Sequence, residues 1–305
     1  MTKSVAVLMG GWSVERKVSQ SSGEACRKAL REAGYDAYCI DMPRDPLAFM
    51  DALSPRPDVV FNALHGRWGE DGHVQAILNL IGLPYTHSGL LASALAMDKP
   101  AAKTLFAAAG IPVPEGMITT RSACLKADPL PYPYVIKPHN EGSSVGVHIM
   151  LEGSNSRHFA VEEWPFGETV MVERYIPGRE LTVAVMGGRA LGVLEITSNH
   201  VFYDYEAKYA PEGSRHILPA PVPEDIYAEA MRLSELAHRT LGCRGVSRAD
   251  FRYDPTNTNT PLYLLEINTQ PGMTATSLVP DIAAHAGLSF PELVTWMVEN
   301  ARCDA

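Results

Sequence analysis

Residues 245–272 read GVSRADFRYDPTNTNTPLYLLEINTQPG. Two runs rich in aliphatic and aromatic residues, 246–253 and 262–269, flank a Pro/Asn/Thr segment, which predicts two strands joined by a turn. Because side chains alternate along a strand, Arg248 and Asp250 share one face of the first, and Glu266 and Asn268 share one face of the second. Burying two carboxylates, an amide and a guanidinium among Val, Leu, Ile and Phe is costly unless a partner neutralises them. Asp250, Glu266 and Asn268 offer only hard oxygen donors, the set that Mg²⁺ accepts when substrate phosphates complete its shell. Arg248 is then free to face an anion. The alternative is that Arg248 and Asp250 pair with each other and Glu266 is a solvated strand residue. The Asn268-Thr269-Gln270-Pro271-Gly272-Met273 turn that follows suits close approach of backbone N–H groups to a ligand.

The chain has 305 residues, 46% of them hydrophobic, enough for two or three domains. A formal net charge of −9 disfavours nucleic acid and anionic membrane as partners, so an anionic ligand must be held by local positive groups. Five cysteines, Cys26, Cys39, Cys124, Cys243 and Cys303, lack CxxC spacing and fit reduced thiols in the cytoplasm. The first apolar run, residues 5–9, is too short for a signal segment, and no window approaches a membrane span. The ten histidines show no HExxH or paired zinc spacing.

From the N-terminus the pattern alternates. Strands are expected at 4–9, 36–41 and 58–64, and helices at 18–33, 46–53 and 71–81, which predicts an α/β domain with a parallel sheet covered on both faces. Ligands on such sheets lie beyond the carboxyl ends of the strands, where Gly10, Gly11, Glu15 and the loop from His65 to Gly72 fall. Glu15 could equally serve only to favour a helix N-terminus, and His65 could be an ordinary loop histidine. No GxGxxG is present, which disfavours a dinucleotide site. Asp98 reads as the N-cap of a helix with Pro100 in its first turn, stopped by Gly110. Residues 133–138 form a strand carrying Lys137, followed by the glycine-rich turn Glu141-Gly142-Ser143-Ser144-Val145-Gly146. A strand lysine beside a loop of N–H donors can cradle a polyphosphate, or be a plain hairpin with a surface lysine. Strands follow at 169–176, 180–186 and 190–197. Residues 199–216 lack clean periodicity and suggest a lid, with Lys208 and Tyr209 at its centre. Helices are expected at 224–241 and 289–303.

Taken in order, MGGWSVER, LHGRWGEDG, the Lys137 strand, EGSSVG, ERYIPGRE, FYDYEAKY, SRADF and LLEINTQPGMTATS resemble the D-alanine–D-alanine ligase family of the ATP-grasp superfamily over nearly the whole chain. The resemblance implies a three-domain ATP-grasp architecture, α/β with an α+β central part. It divides into residues 1–95 (substrate domain), 96–177 (central domain) and 178–305 (metal site and lid), with ATP between two sheets. It further implies that Lys99, Lys137, Ser143, Ser144 and Lys208 meet ATP, that the connector Glu173, Arg174, Tyr175 and Ile176 pairs with adenine, and that Glu180 takes the ribose. Asp250, Glu266 and Asn268 would hold two Mg²⁺ ions, with Mn²⁺ a possible substitute. Arg248 and the Gly272 N–H match oxyanion donors. Glu15 matches the group receiving the first D-alanine's ammonium, with His65 beside it, and Ser277, Leu278 and Lys208 match the anchors of the second substrate's carboxylate. Glu15, Ser143 and Tyr209 match a trio that latches the lid. The implied reaction is ATP-dependent D-alanyl-D-alanine formation for peptidoglycan precursors, in the cytoplasm, by a homodimer. D-alanyl-D-lactate ligation, disfavoured by Tyr209, D-alanyl-D-serine ligation and a non-catalytic nucleotide-binding module are the alternatives. Gln270, where Ser or Leu is common, Trp68 and Ala275 depart from the family pattern.

Overall fold

The computed structural model describes residues 2–140, 142, 146–153, 164–197, 215–274 and 276–304. Strands β1 (Ser4–Met9), β2 (Asp36–Asp41) and β3 (Val59–Asn62) pair in parallel in the order β2-β1-β3. Parallel neighbours need crossovers, which α1 (Arg16–Glu32) and α2 (Pro46–Ala52) supply; α3 (His73–Leu80) follows β3. Alternate residues of β1 divide between two cores. Val5 and Val7 pack with Cys26 and Leu30 of α1, whereas Ala6 and Leu8 pack with Phe49 of α2 and Leu78 of α3. Burial on both faces is why β1 reads as an unbroken apolar run.

A four-stranded antiparallel sheet follows, with β4 (Gly116–Thr120), β5 (Tyr134–Pro138), β6 (His148–Met150) and β7 (Thr169–Arg174) in the order β4-β7-β5-β6. In chain order, α4 (Leu90–Met97) and α5 (Lys99–Ala108) come between the two sheets. The Asp98 side chain accepts from the Ala101 N–H at 3.0 Å and caps α5, as the sequence led us to expect. A third, antiparallel sheet joins β8 (Arg179–Met186), β9 (Arg189–Thr197), β10 (Arg215–Ile217), β11 (Val246–Tyr253) and β12 (Leu262–Asn268) in the order β10-β9-β8-β11-β12. One face packs on α7 (Glu224–Thr240), through Ala230, Leu233 and Ala237 against Leu181, Val183 and Phe251. Toward the other face, α8 (Leu278–His285) and α9 (Phe290–Glu299) build a core shared with the first sheet, where Val279, Ile282 and Leu293 cluster with Val5, Phe61 and Leu194. A capping box between Ser289 and Glu292 starts α9.

Four elements were not read from the sequence: β4, β10, α6 (Arg121–Lys126) and α8. Most of β4 is exposed, so it shows no alternation, and β10 is three residues long. Pro280 sits in the first turn of α8, where a missing N–H costs nothing. The expected lid, residues 199–216, is corrected at its end, because Arg215 and His216 belong to β10; residues 199–214 lie outside the described residues.

Asp98→Ala removes the cap of the helix that carries Lys99. Its urea unfolding midpoint should fall by the equivalent of about 1 kcal/mol with an unchanged m-value.

Candidate functional site

The β11–β12 hairpin aligns Arg248 with Asn268 and Asp250 with Glu266, but Phe251 aligns with Leu264, so Leu265 is an extra residue. That bulge decides which way Glu266 and Asn268 point. Leu262 and Leu264 face the α7 core together with Ala249, Phe251 and Tyr253. Unbroken alternation would send Glu266 and Asn268 into the same core. The extra residue shifts the parity: Ile267 takes the core position, and Glu266 and Asn268 join Arg248 on the wall of an open cleft.

On that wall the charges pair with one another. Arg248 donates to Asp250 from Nε at 2.8 Å and from Nη2 at 2.6 Å, and the Thr182 hydroxyl donates to the same carboxylate at 2.6 Å. Arg248 and Asp250 are therefore paired with each other, the arrangement that the sequence left open beside a cation at Asp250. A planar fork meeting a carboxylate two residues away on the same strand face gains two charge-assisted hydrogen bonds. Lys99 Nζ lies 3.3 Å from Glu266 Oε2, and Asn268 Oδ1 accepts from the Gln270 N–H at 2.8 Å. Among the described residues no three His, Cys, Asp or Glu side chains converge as a metal cage. Asp250, Glu266 and Asn268 nonetheless present only oxygen donors, and such a sparse set fits Mg²⁺ where phosphate oxygens complete the shell.

Lys137 lies on β5 diagonal to Glu173 on β7, since Val135 is the residue aligned with Glu173. The buried Glu173 carboxylate takes both Lys137 and Lys103, which lies one turn along α5 from Lys99. Burial alone would raise the Glu173 pKa; the two ammonium groups outweigh it and bring it down to about 2. Burial pushes Lys103 down to about 8, with Glu173 opposing that shift and Lys137 adding to it. The sequence reading missed Lys103 and Thr182. Lys103 was accessible in principle, because a spacing of four residues places it on the face of Lys99.

The opposite side of the cleft comes from the first sheet. Glu15 occupies the N-cap position of α1 without a side-chain cap hydrogen bond, and its carboxylate lies against the loop after β3. Gly66 has φ of 73°, a conformation that favours glycine, and a Cβ there would sit 2.7 Å from Glu15 Oε2 and displace it. His65 Nε2 is 2.9 Å from Ser22 Oγ and Nδ1 is 3.2 Å from Glu70 Oε1. Burial pulls the His65 pKa down, but Glu70 and Glu15 more than reverse it, for a net rise. Gly272, Ser277 and Leu278 close the cleft at the start of α8, where Ser277 Oγ accepts from the Thr274 N–H at 2.9 Å. The empty space, open mouth included, is about 940 Å³.

The structure thus brings Glu15, His65, Lys99, Arg248, Glu266, Asn268, Gly272, Ser277 and Leu278 to one cleft, with Asp250 behind Arg248. The connector lies at the junction of the second and third sheets instead. There the N–H groups of Arg174 and Tyr175 donate to Glu115 and Pro133 carbonyls, Arg252 Nε donates to the Ile176 carbonyl, and Glu180 lies 3.7 Å from Arg252. Ser143, Ser144, Lys208 and Tyr209 lie outside the described residues; Gly142, next to Ser143, faces Glu15.

Residues 105–299 match the family model described as D-ala D-ala ligase C-terminus, and residues 47–88 match the one described as D-ala D-ala ligase N-terminus. A protein of Paramagnetospirillum magneticum named D-alanine--D-alanine ligase is 63% identical over 308 aligned positions covering 100% of both chains. The same-named protein of Rhodospirillum rubrum is 59% identical, again over 100% of both. Among solved structures, D-alanine--D-alanine ligase from Bacillus anthracis complexed with ATP superposes with a TM-score of 0.81 at 30% identity, covering 98% of this chain and 97% of that one. VanG D-Ala:D-Ser ligase from Enterococcus faecalis gives 0.80 at 29%, covering 98% and 99%.

Because the folded-state pKa of Glu173 is depressed from 4.5 to about 2, its contribution to stability is complete above pH 4.5 and disappears as the pH falls toward 2. Glu173→Gln should flatten the stability–pH slope in that window, measured by urea unfolding at successive pH values, and should lower stability at pH 7.

Proposed function

Since the chain belongs to the D-alanine–D-alanine ligase family, we propose that it joins two D-alanine molecules to D-alanyl-D-alanine through a D-alanyl phosphate, cleaving ATP to ADP and phosphate. The chain is an ATP-dependent ligase of peptidoglycan precursor synthesis. The observation that carries the reading is the two-sided cleft. One side offers Glu15 to an ammonium; the other gathers Lys99 and Arg248, which suit phosphates and developing negative charge, beside Glu266 and Asn268, whose oxygens suit the divalent cation that accompanies them.

The first D-alanine docks with its ammonium at Glu15, beside His65. Its carboxylate oxygen attacks the γ-phosphorus and ADP departs. Lys99 and Lys137 neutralise the phosphates, with Ser143 and Ser144 supplying the glycine-rich loop. Asp250, Glu266 and Asn268 hold Mg²⁺, which supplies charge neutralisation on the transferring group; Mn²⁺ suits the same oxygens. Arg248 exchanges Asp250 for the oxygens of the acyl phosphate. The second D-alanine sits with its carboxylate at Ser277, Leu278 and Lys208, where the start of α8 presents N–H groups and a favourable dipole. Its amine attacks the acyl carbon, phosphate leaves, and a proton is released. Arg248 and the Gly272 N–H stabilise the tetrahedral oxyanion. At the nucleotide end, the Ile176 N–H serves adenine, because those of Arg174 and Tyr175 are engaged, and Glu180 takes the ribose. Glu15, Ser143 and Tyr209 latch the lid, which shields the acyl phosphate from water.

This reading divides the chain at residues 95 and 177 and takes it to act as a homodimer. It places the protein in the cytoplasm, with five free cysteines and, among the described residues, no helix long and apolar enough to cross a membrane.

Phosphate release from Mg-ATP should require D-alanine, appear in step with dipeptide, and fail with L-alanine or D-serine alone, and D-lactate added to D-alanine should give no D-alanyl-D-lactate. Arg248→Ala should lower kcat by about 10²–10³-fold. Release that is independent of D-alanine, or none at all with ATP still bound, would overturn the reading.

A further inference from the structure

Gln270 stands just beyond β12, where the family pattern more often has Ser or Leu. It is buried, and its side-chain hydrogen bonds run to a segment more than 200 residues away. Oε1 accepts from Asn62 Nδ2 at 2.9 Å, and Nε2 donates to the carbonyls of Asn62 at 3.0 Å and Leu64 at 2.8 Å. Asn62 ends β3, and His65 follows Leu64 directly. Asn62 is held just as fully: Nδ2 also donates to the Gly69 carbonyl at 3.1 Å, and Oδ1 accepts from the Leu64 N–H at 3.2 Å. In the other direction, the Gln270 backbone N–H donates to Asn268 Oδ1 at 2.8 Å, and Gly272 lies two residues on.

One residue therefore joins the wall carrying Glu15 and His65 to the wall carrying Asn268 and Gly272. Leucine would fill the same space, so bulk alone does not require the amide. What the amide adds is direction: two donors and one acceptor in a planar fork, each satisfied in a buried setting where loss leaves two carbonyls unpaired. Serine is too short to reach Asn62. Transfer between groups on the two walls is sensitive to misplacement of about 1 Å.

We infer that Gln270 is a positioning residue that sets the spacing between the wall receiving the first D-alanine and the wall receiving the phosphates. This rests on the ligase reading above. Removing the amide loosens the D-alanine wall and leaves the nucleotide end, on β5 and β7, unaltered.

The test is steady-state ADP release by the full chain, varying D-alanine and ATP separately, for the parent, Gln270→Leu and Asn79→Ala. Asn79 pairs with Asp304 through two hydrogen bonds of 2.9 Å outside the cleft, and so controls for loss of a long-range tie. Gln270→Leu should raise the D-alanine KM at least tenfold and lower kcat, with the ATP KM within twofold of the parent. Asn79→Ala should lower Tm and leave both KM values alone. A purely structural role for Gln270 would reduce the folded fraction, lowering kcat with both KM values intact, and that result overturns the inference, as does a parallel rise of both. If Gln270→Leu does not fold, Gln270→Glu is read in the same way; it keeps the length and the acceptor but sets an oxygen against the two carbonyls. An inactive parent defeats the ligase reading and this inference together, whereas an active parent matched by its variant defeats this inference alone.

Discussion

Charges withdrawn from water must be compensated, and the interior of this molecule is arranged around that requirement. Arg248 meets Asp250, Lys99 meets Glu266, and Glu173 is shared by Lys103 and Lys137. Deleting one member of such a set leaves a buried charge uncompensated, which costs several kcal/mol, whereas the intact set contributes little net stability. The pairs therefore make better sense as a way to keep the groups charged and in place. A polyphosphate entering the cleft meets ammonium and guanidinium groups whose side chains are already ordered, so less conformational entropy remains to be lost on binding.

The same requirement explains why the fold turns on the extra residue in β12. An antiparallel hairpin with strict alternation would have one apolar and one polar face, but its parity on each strand is independent. Leu262 and Leu264 fix the early half of β12 to the α7 core, and only the Leu265 bulge lets the later half present Glu266 and Asn268 beside Arg248. Gln270, past the end of that strand, then ties the hairpin to β3, so that the first and third sheets, sharing a core through α8 and α9, enclose one cleft.

Much of this was legible in the residues. β1 and β11 were read to their ends because one is a continuous apolar run and the other alternates with bulky aliphatic and aromatic residues. The Asp98 cap and the Ser289 start were local chemistry, complete within four residues. The four polar groups of the hairpin were visible as well, although their convergence depended on a bulge that no residue type announces. What escaped was long-range. Lys103 and Glu173 meet across 70 residues, Thr182 and Asp250 across 68, and Gln270 and Asn62 across 208, and spacing along the chain carries no trace of such pairs. The exposed β4 lacked the alternation on which strand reading depends.

On the ligase reading, the internal pairs stand in for ligand contacts and are exchanged when ligands bind, with Arg248 turning from Asp250 to the reacting oxygens. The most direct measurement is a crystal structure of the protein with D-alanine, Mg²⁺ and a non-hydrolysable ATP analogue. In that complex the two Arg248–Asp250 hydrogen bonds of 2.8 and 2.6 Å should be broken, with Asp250 facing the metal. A fully liganded complex in which Arg248 still grips Asp250 through both nitrogens would contradict this exchange.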